Sequence, residues 1–147
     1  YHPVYVVTQF NHPAECTPEA AQALRTLADA GCVLANQMVL LRGVNDDPLV
    51  VRRLNHWLLN NRCRPYYIFQ CDASRGIRHF RTSVAKGLGI IDSLRGHTSG
   101  LAVPHYVVDL PGGGGKVSLQ PDFLVAREGS RLIFRNYLGQ TYEYEDV

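Results

Sequence analysis

Four stretches rich in β-branched and aromatic residues recur along the chain, and segments with helical spacing separate them. Residues 4–10 (VYVVTQF), 33–41, 65–69 and 102–108 have the character of buried strands. After the first, Thr17-Pro18 supplies an N-cap with proline at the first helical position, and Gly31 supplies the stop. Between them Ala20, Ala23, Leu24, Leu27 and Ala28 recur at helix spacing. After the second, Asp47-Pro48 opens a helix with Val50, Leu54, Trp57 and Leu58 on its apolar face. After the third, a polar loop over 70–82 leads to Val84, Leu88, Ile91 and Leu94, stopped by Gly96. Strands alternating with helices imply an α/β fold with a parallel sheet and right-handed crossovers. Four such strands are too few to close a barrel. Residues 123–126, 131–136 and 141–144 then read as short strands, with Glu128-Gly129-Ser130 as a turn.

Composition narrows the function classes. The 147 residues suffice for one compact domain, and 46% apolar content is ordinary for a globular chain. A net charge of +2, with the basic residues in no dense block, does not point to nucleic acid. No apolar run approaches the roughly 18 residues of a membrane span. The opening YHPVYVVTQFNHP lacks the basic segment and long apolar core of a signal peptide. Cys16, Cys32, Cys63 and Cys71 form no C-x-x-C pair, so the expectation is reduced thiols in a cytoplasmic protein. Tyr1 falls within strand-like sequence and is not Met, so the chain reads as the C-terminal part of a longer protein.

The chemistry concentrates after the fourth strand, in VVDLPGGGGKV. Gly112, Gly113, Gly114 and Gly115 can adopt backbone angles closed to other residues and allow a ligand close to the main chain. Lys116 follows them, and a lysine in an apolar pocket can lose its proton and form a Schiff base. A nucleotide P-loop is excluded, because Leu110 and Val117 stand where that motif needs glycine and a hydroxyl residue. A flexible surface linker is the competing reading.

In parallel α/β sheets the chemistry gathers at the C-terminal ends of strands. Gln9, Asn11 and His12 fall at the first such end, Arg42 and Asn45 at the second, Gln70 and Asp72 at the third, Asp109 and Lys116 at the fourth. Asp72 and Asp109 should therefore share one rim, with Lys116 nearby. Two carboxylates either share a proton or clamp a cation between them. A lone Asp more often caps a loop or a helix start. Gln37 lies in an otherwise apolar strand, either as a ligand contact or as a satisfied core amide. Tyr66 and Tyr67 read as strand core, and His97-Thr98-Ser99-Gly100 as a structural turn.

Several motifs in one order, NQMVLLRGVND, RPYYIFQCD, HFRTSVAKG, LRGHTSG and VVDLPGGGGK, resemble the lysine 2,3-aminomutases, a radical S-adenosylmethionine family. The resemblance covers essentially the whole chain. It implies that residues 1–110 are the later βα units of an open partial (β/α) TIM-like barrel. Residues 111–147 would be the pyridoxal-phosphate (PLP) lysine loop and a small C-terminal β extension. It further implies conversion of L-lysine to L-β-lysine, with Lys116 holding PLP beside Gly112, Gly113, Gly114 and Gly115. Gln37 would contact S-adenosylmethionine, while Asp72 and Asp109 would bind the side-chain ammonium of substrate lysine. The family's CxxxCxxC motif for a 4Fe–4S cluster is absent here, so those ligands are expected outside this chain, and the chain alone is expected to be inactive. Gln9 replaces the histidine common in THFNHP. A homo-oligomer is expected for the full-length protein. The alternatives are a relative that makes β-lysine for an elongation factor, a non-radical PLP enzyme, and a non-catalytic binding domain.

Overall fold

The computed structural model describes residues 2–147; Tyr1, where the chain was read as starting within a strand, lies outside them. The chain runs β1 (Tyr5–Thr8), α1 (Pro18–Asp29), β2 (Val33–Leu40), α2 (Pro48–Asn60), β3 (Cys63–Gln70), α3 (Val84–Leu94) and β4 (His105–Leu110). Four short strands follow: β5 (Gly115–Leu119), β6 (Leu124–Glu128), β7 (Arg131–Arg135) and β8 (Thr141–Glu145). The first five form one sheet in the order β1-β2-β3-β4-β5, parallel from β1 to β4, with β5 antiparallel to β4. The last three form a separate antiparallel sheet.

The fold is thus α/β, as expected, but its main sheet is mixed. Sequence reading missed β5, because it opens on the last of four glycines and only Lys116-Val117-Ser118-Leu119 shows strand alternation. The five strands form an open sheet with β1 and β5 at its edges.

Helix starts follow their caps. Thr17 accepts the Ala20 N–H, Asp47 accepts those of Leu49 and Val50, and Ser83 accepts that of Lys86. Each such cap contributes about 1 kcal/mol. The helices cover one face of the sheet, burying Leu24, Leu54, Leu58, Ile91 and Leu94 against Leu34, Met38, Leu40, Ile68 and Tyr106. Each fully buried side chain of this size contributes about 1.5–3 kcal/mol. The buried stripe of α3 runs through Gly87, Ile90, Ile91 and Leu94, leaving Val84 exposed. Gly87 is needed there, since a Cβ would come within 2.2 Å of the Tyr106 side chain.

Buried asparagines pin the strand ends that surround the site. Asn36 accepts hydrogen bonds from the Thr8 hydroxyl (3.0 Å) and the Phe10 N–H (2.7 Å), and donates to the Phe10 carbonyl. These bonds draw the chain out of β1 at Thr8, two residues earlier than its apolar run suggests. Asn45 accepts from the Leu41 N–H and donates to the carbonyls of Asn11 and Val39. Asn11 accepts from the Val39 N–H through its side chain, and His12 Nδ1 accepts from the Ala14 N–H. Asn11 and His12 are therefore committed to shaping the end of β1.

Candidate functional site

One irregularity sets the wall of the site. Asn36 pairs with Pro65 but Gln37 pairs with Tyr67, so Tyr66 is an extra residue on β3. A bulge of this kind reverses which alternate residues face the helices. Cys63 and Pro65 are buried before it, Ile68 and Gln70 after it. Tyr67 and Phe69 consequently emerge on the helix-free face, where the sequence reading had placed Tyr66 and Tyr67 in the core. Tyr66 is exposed and donates its hydroxyl hydrogen to that of Tyr67 at 2.9 Å. That bond raises the Tyr66 phenol above its ordinary range.

Lys116 meets this wall from β5. The glycine segment is the turn of a β4–β5 hairpin, with Gly112, Gly113 and Gly115 at positive φ. Those three are left-handed positions that favour glycine. Asp109 and Lys116 are cross-strand partners in the register. The Lys116 ammonium donates to Asp109 Oδ1 at 2.7 Å and sits 4.1 Å above the Phe69 ring centroid. The Tyr67 centroid is 5.5 Å away. Ion pair and aromatic face hold one cation in a half-exposed position.

Asp72 and Asp109 line a common cleft of about 540 Å³ with Gln70, Cys71, Arg81 and Leu110. Their expected meeting on one rim is thus observed, with Lys116 bonded to one of them. Gln70 is fixed from both sides, accepting from the buried Tyr106 hydroxyl and donating to the Thr82 carbonyl at 2.9 Å. This holds the C-terminal end of β3, two residues before Asp72, against β4 and the segment that leads into α3. Burial, with Asp72 adding to it, raises the Cys71 thiol above its ordinary range, which disfavours the thiolate.

Gln37 is half-buried on the helix-free face, in register with Tyr67, and does not line this cleft. The buried amide of the NQ pair is its neighbour Asn36, which works structurally. All four cysteines are free. Among the described residues no group of three or more His, Cys, Asp and Glu could hold a metal ion, and no helix is long and apolar enough to cross a membrane.

The residues at the hairpin fit PLP in two respects. Lys116 offers a primary amine over aromatic faces, and the turn is open where Cβ atoms at Gly112, Gly113 and Gly115 would otherwise project. Gln37 lines neither this cleft nor the one beside it, and among the described residues no group of side chains fits a 4Fe–4S cluster.

A family model described as lysine-2,3-aminomutase matches residues 91–146. An L-lysine 2,3-aminomutase of Methanococcus maripaludis is 56% identical over 98% of this chain and 33% of its own length. The chain belongs to the lysine 2,3-aminomutase family. Another member, an L-lysine 2,3-aminomutase of Fusobacterium nucleatum, is 54% identical over 99% of the chain and 34% of the relative. A glutamate 2,3-aminomutase of Clostridioides difficile is 49% identical over 99% of the chain and 35% of the relative. The chain therefore spans about a third of the length of the curated relatives it matches.

The arginines around the polar loop escaped the sequence reading. Arg75, Arg78, His79 and Arg81 fall within seven residues, a signal that was available. Their partner Arg42 lies far away in sequence, and only the loops after β2 and β3 bring it near.

Proposed function

We propose that this chain is the substrate-selecting part of a PLP- and S-adenosylmethionine-dependent aminomutase converting L-lysine to L-β-lysine. In this reading β1 to β4 are later strands of a partial barrel in a longer cytoplasmic, homo-oligomeric protein whose 4Fe–4S ligands lie outside the chain. One observation carries the proposal: Asp72 and Asp109 line one cleft, with the Lys116 ammonium 2.7 Å from Asp109. PLP, when bound, supplies a carbonyl that takes up an amine and a conjugated ring that stabilises charge or an unpaired electron beside it. Lys116 would carry it, and Gly112, Gly113, Gly114 and Gly115 would let it approach the backbone. Once the Lys116 amine is engaged, Asp109 loses its present counter-cation. Asp109 and Asp72 can then bind the side-chain ammonium of lysine by charge-assisted hydrogen bonds. An anionic side chain would instead meet two like charges, which favours lysine over glutamate. Gln37, on the same helix-free face, would reach S-adenosylmethionine.

Two measurements on the full-length protein test this. Borohydride reduction in the presence of PLP should label Lys116, and Lys116→Ala should abolish the label; label on another lysine defeats the assignment. Asp72→Asn or Asp109→Asn should lower lysine turnover about 30-fold or more, because removing one partner of a charge pair that bound substrate shields from water costs about 2–5 kcal/mol. Unchanged lysine kinetics in both variants, against ornithine and glutamate as comparison substrates, would leave the carboxylates with a capping role only.

A further inference from the structure

Beside the acidic cleft lies a second of about 830 Å³, lined by Arg42, Arg78, His79, Arg81, Thr82 and Ser83 among others, with no carboxylate in its wall. None of the ion pairs among the described residues involves Arg42, Arg78 or Arg81. Like charges gathered in one concavity repel unless an anion joins them. The wall is built by definite bonds. The Arg42 N–H donates to the Phe80 carbonyl at 2.7 Å, and the Thr82 carbonyl accepts from Gln70 at 2.9 Å. Two buried polar atoms in this wall, Arg81 Nε and Thr82 Oγ1, have no hydrogen-bond partner. Such atoms are costly when left unmatched and mark a place where a ligand or ion completes the structure. Ser83 also caps α3 here, adding the partial positive charge of a helix start.

We infer that this cleft binds a phosphate group. A tetrahedral dianion offers several acceptor oxygens to planar guanidinium forks and to the Thr82 hydroxyl, and arginine matches that geometry bidentately. Arg81 lines both clefts, so the bound anion would sit next to the pair of aspartates without meeting them directly. The inference rests on this second cleft alone and survives if the reading of Lys116 fails. Two sources share the chemistry: the phosphate of PLP itself, or a separate phosphorylated small molecule.

The test titrates inorganic phosphate into the full-length protein by calorimetry, in PLP-free and PLP-loaded forms. Saturable binding that weakens with salt is expected in the PLP-free protein. Arg78→Gln and, separately, Arg81→Gln should each weaken it about tenfold or more, the loss of one charge-assisted contact. Arg53→Gln, on α2 away from the cleft, should leave it unchanged. If PLP loading blocks phosphate, the cofactor's own phosphate occupies the cleft; if not, a separate phosphorylated ligand does. Absence of saturable binding, or equal weakening by Arg53→Gln, would overturn the inference as an adventitious ion only. So would unaltered affinity in Arg78→Gln; a loss of binding there is no folding failure, because the side chain is exposed.

Discussion

The two sheets of this molecule are held by different physics. In the main sheet, alternate residues of β2 to β4 interlock with three helices, and Leu40, Leu54, Leu58, Ile91 and Tyr106 are fully buried. In the sheet of β6, β7 and β8, Leu132 alone among the strand residues is buried. That sheet relies on Arg131, which pairs with both Glu128 and Glu143, and on its docking to the body. The Tyr137 ring packs on Gly96 and edge-on against His97 at 5.2 Å, while Arg135 reaches Asp92 at 3.7 Å. A three-stranded sheet without a helix cover is marginal alone. The main sheet thus stands on its own core, and the small one borrows its stability from the connection.

Leu54→Ala should have the largest effect, about 2–5 kcal/mol, because it opens a cavity in the shared core. It should lower the Tm of the whole molecule in one transition. A loss confined to α2, seen by hydrogen exchange, would show that the core is less unified than its packing indicates.

Gly96→Ala should separate the two regions. Gly96 is at φ +80 and its missing Cβ makes room for Tyr137, so alanine adds backbone strain and a clash, together about 1–3 kcal/mol. Exchange should accelerate over residues 124–145 while the amides of β2 and β3 stay protected. Uniform acceleration in both sheets would contradict the contrast.

The smallest effects are in pH, and between about pH 9 and about 12 they should fall on the main sheet. Burial pushes the Tyr106 phenol from 10.0 up to about 12, and mainly burial pushes the Cys16 thiol from 9.0 up to about 11. Both must stay neutral in the folded state, while the unfolded chain releases its protons earlier. The main sheet should therefore lose stability as pH rises from about 9 toward about 12. Glu143 is held below its ordinary 4.5 by its hydrogen bond to Arg131. Its contribution is present above that value and is lost as pH falls through the lower folded one. Urea titrations at pH 3, 7 and 10 in low and high salt check this. The acid effect should shrink in Glu143→Gln, leaving the part from Glu19, which its own backbone N–H and the Thr17 side chain hold below 4.5; it should also shrink with salt, while the alkaline effect should ignore salt.

Most of the main fold was legible in the chain. Thr17-Pro18 and Asp47-Pro48 mark helix starts by a local mechanism, and apolar period separates strand from helix. What was not legible depended on counting residues across strands. The Tyr66 bulge moves Tyr67 and Phe69 to the helix-free face, and no one-dimensional pattern distinguishes Tyr-Tyr in a core from Tyr-Tyr at a bulge. β5 was hidden because glycine has low strand propensity, although the hairpin supplies the pairing. The rim with Asp72, Asp109 and Lys116 was legible because strand ends in a parallel sheet share one side. The basic cleft was not, since Arg42 joins Arg78 and Arg81 only through tertiary contact.

The register pairing of Asp109 with Lys116 has a consequence for timing. One carboxylate faces two prospective cations, the lysine beside it on the hairpin and the ammonium of an incoming substrate. While the hairpin lysine keeps its proton, it holds that carboxylate at the contact distance of an ion pair. On the proposed reading, the hairpin therefore sets an order of arrival. The cofactor must come first and the amino acid second, because the first guest vacates the grip that the second requires. A protein not yet loaded would bind lysine poorly, and its selectivity would mature only as it acquired its cofactor.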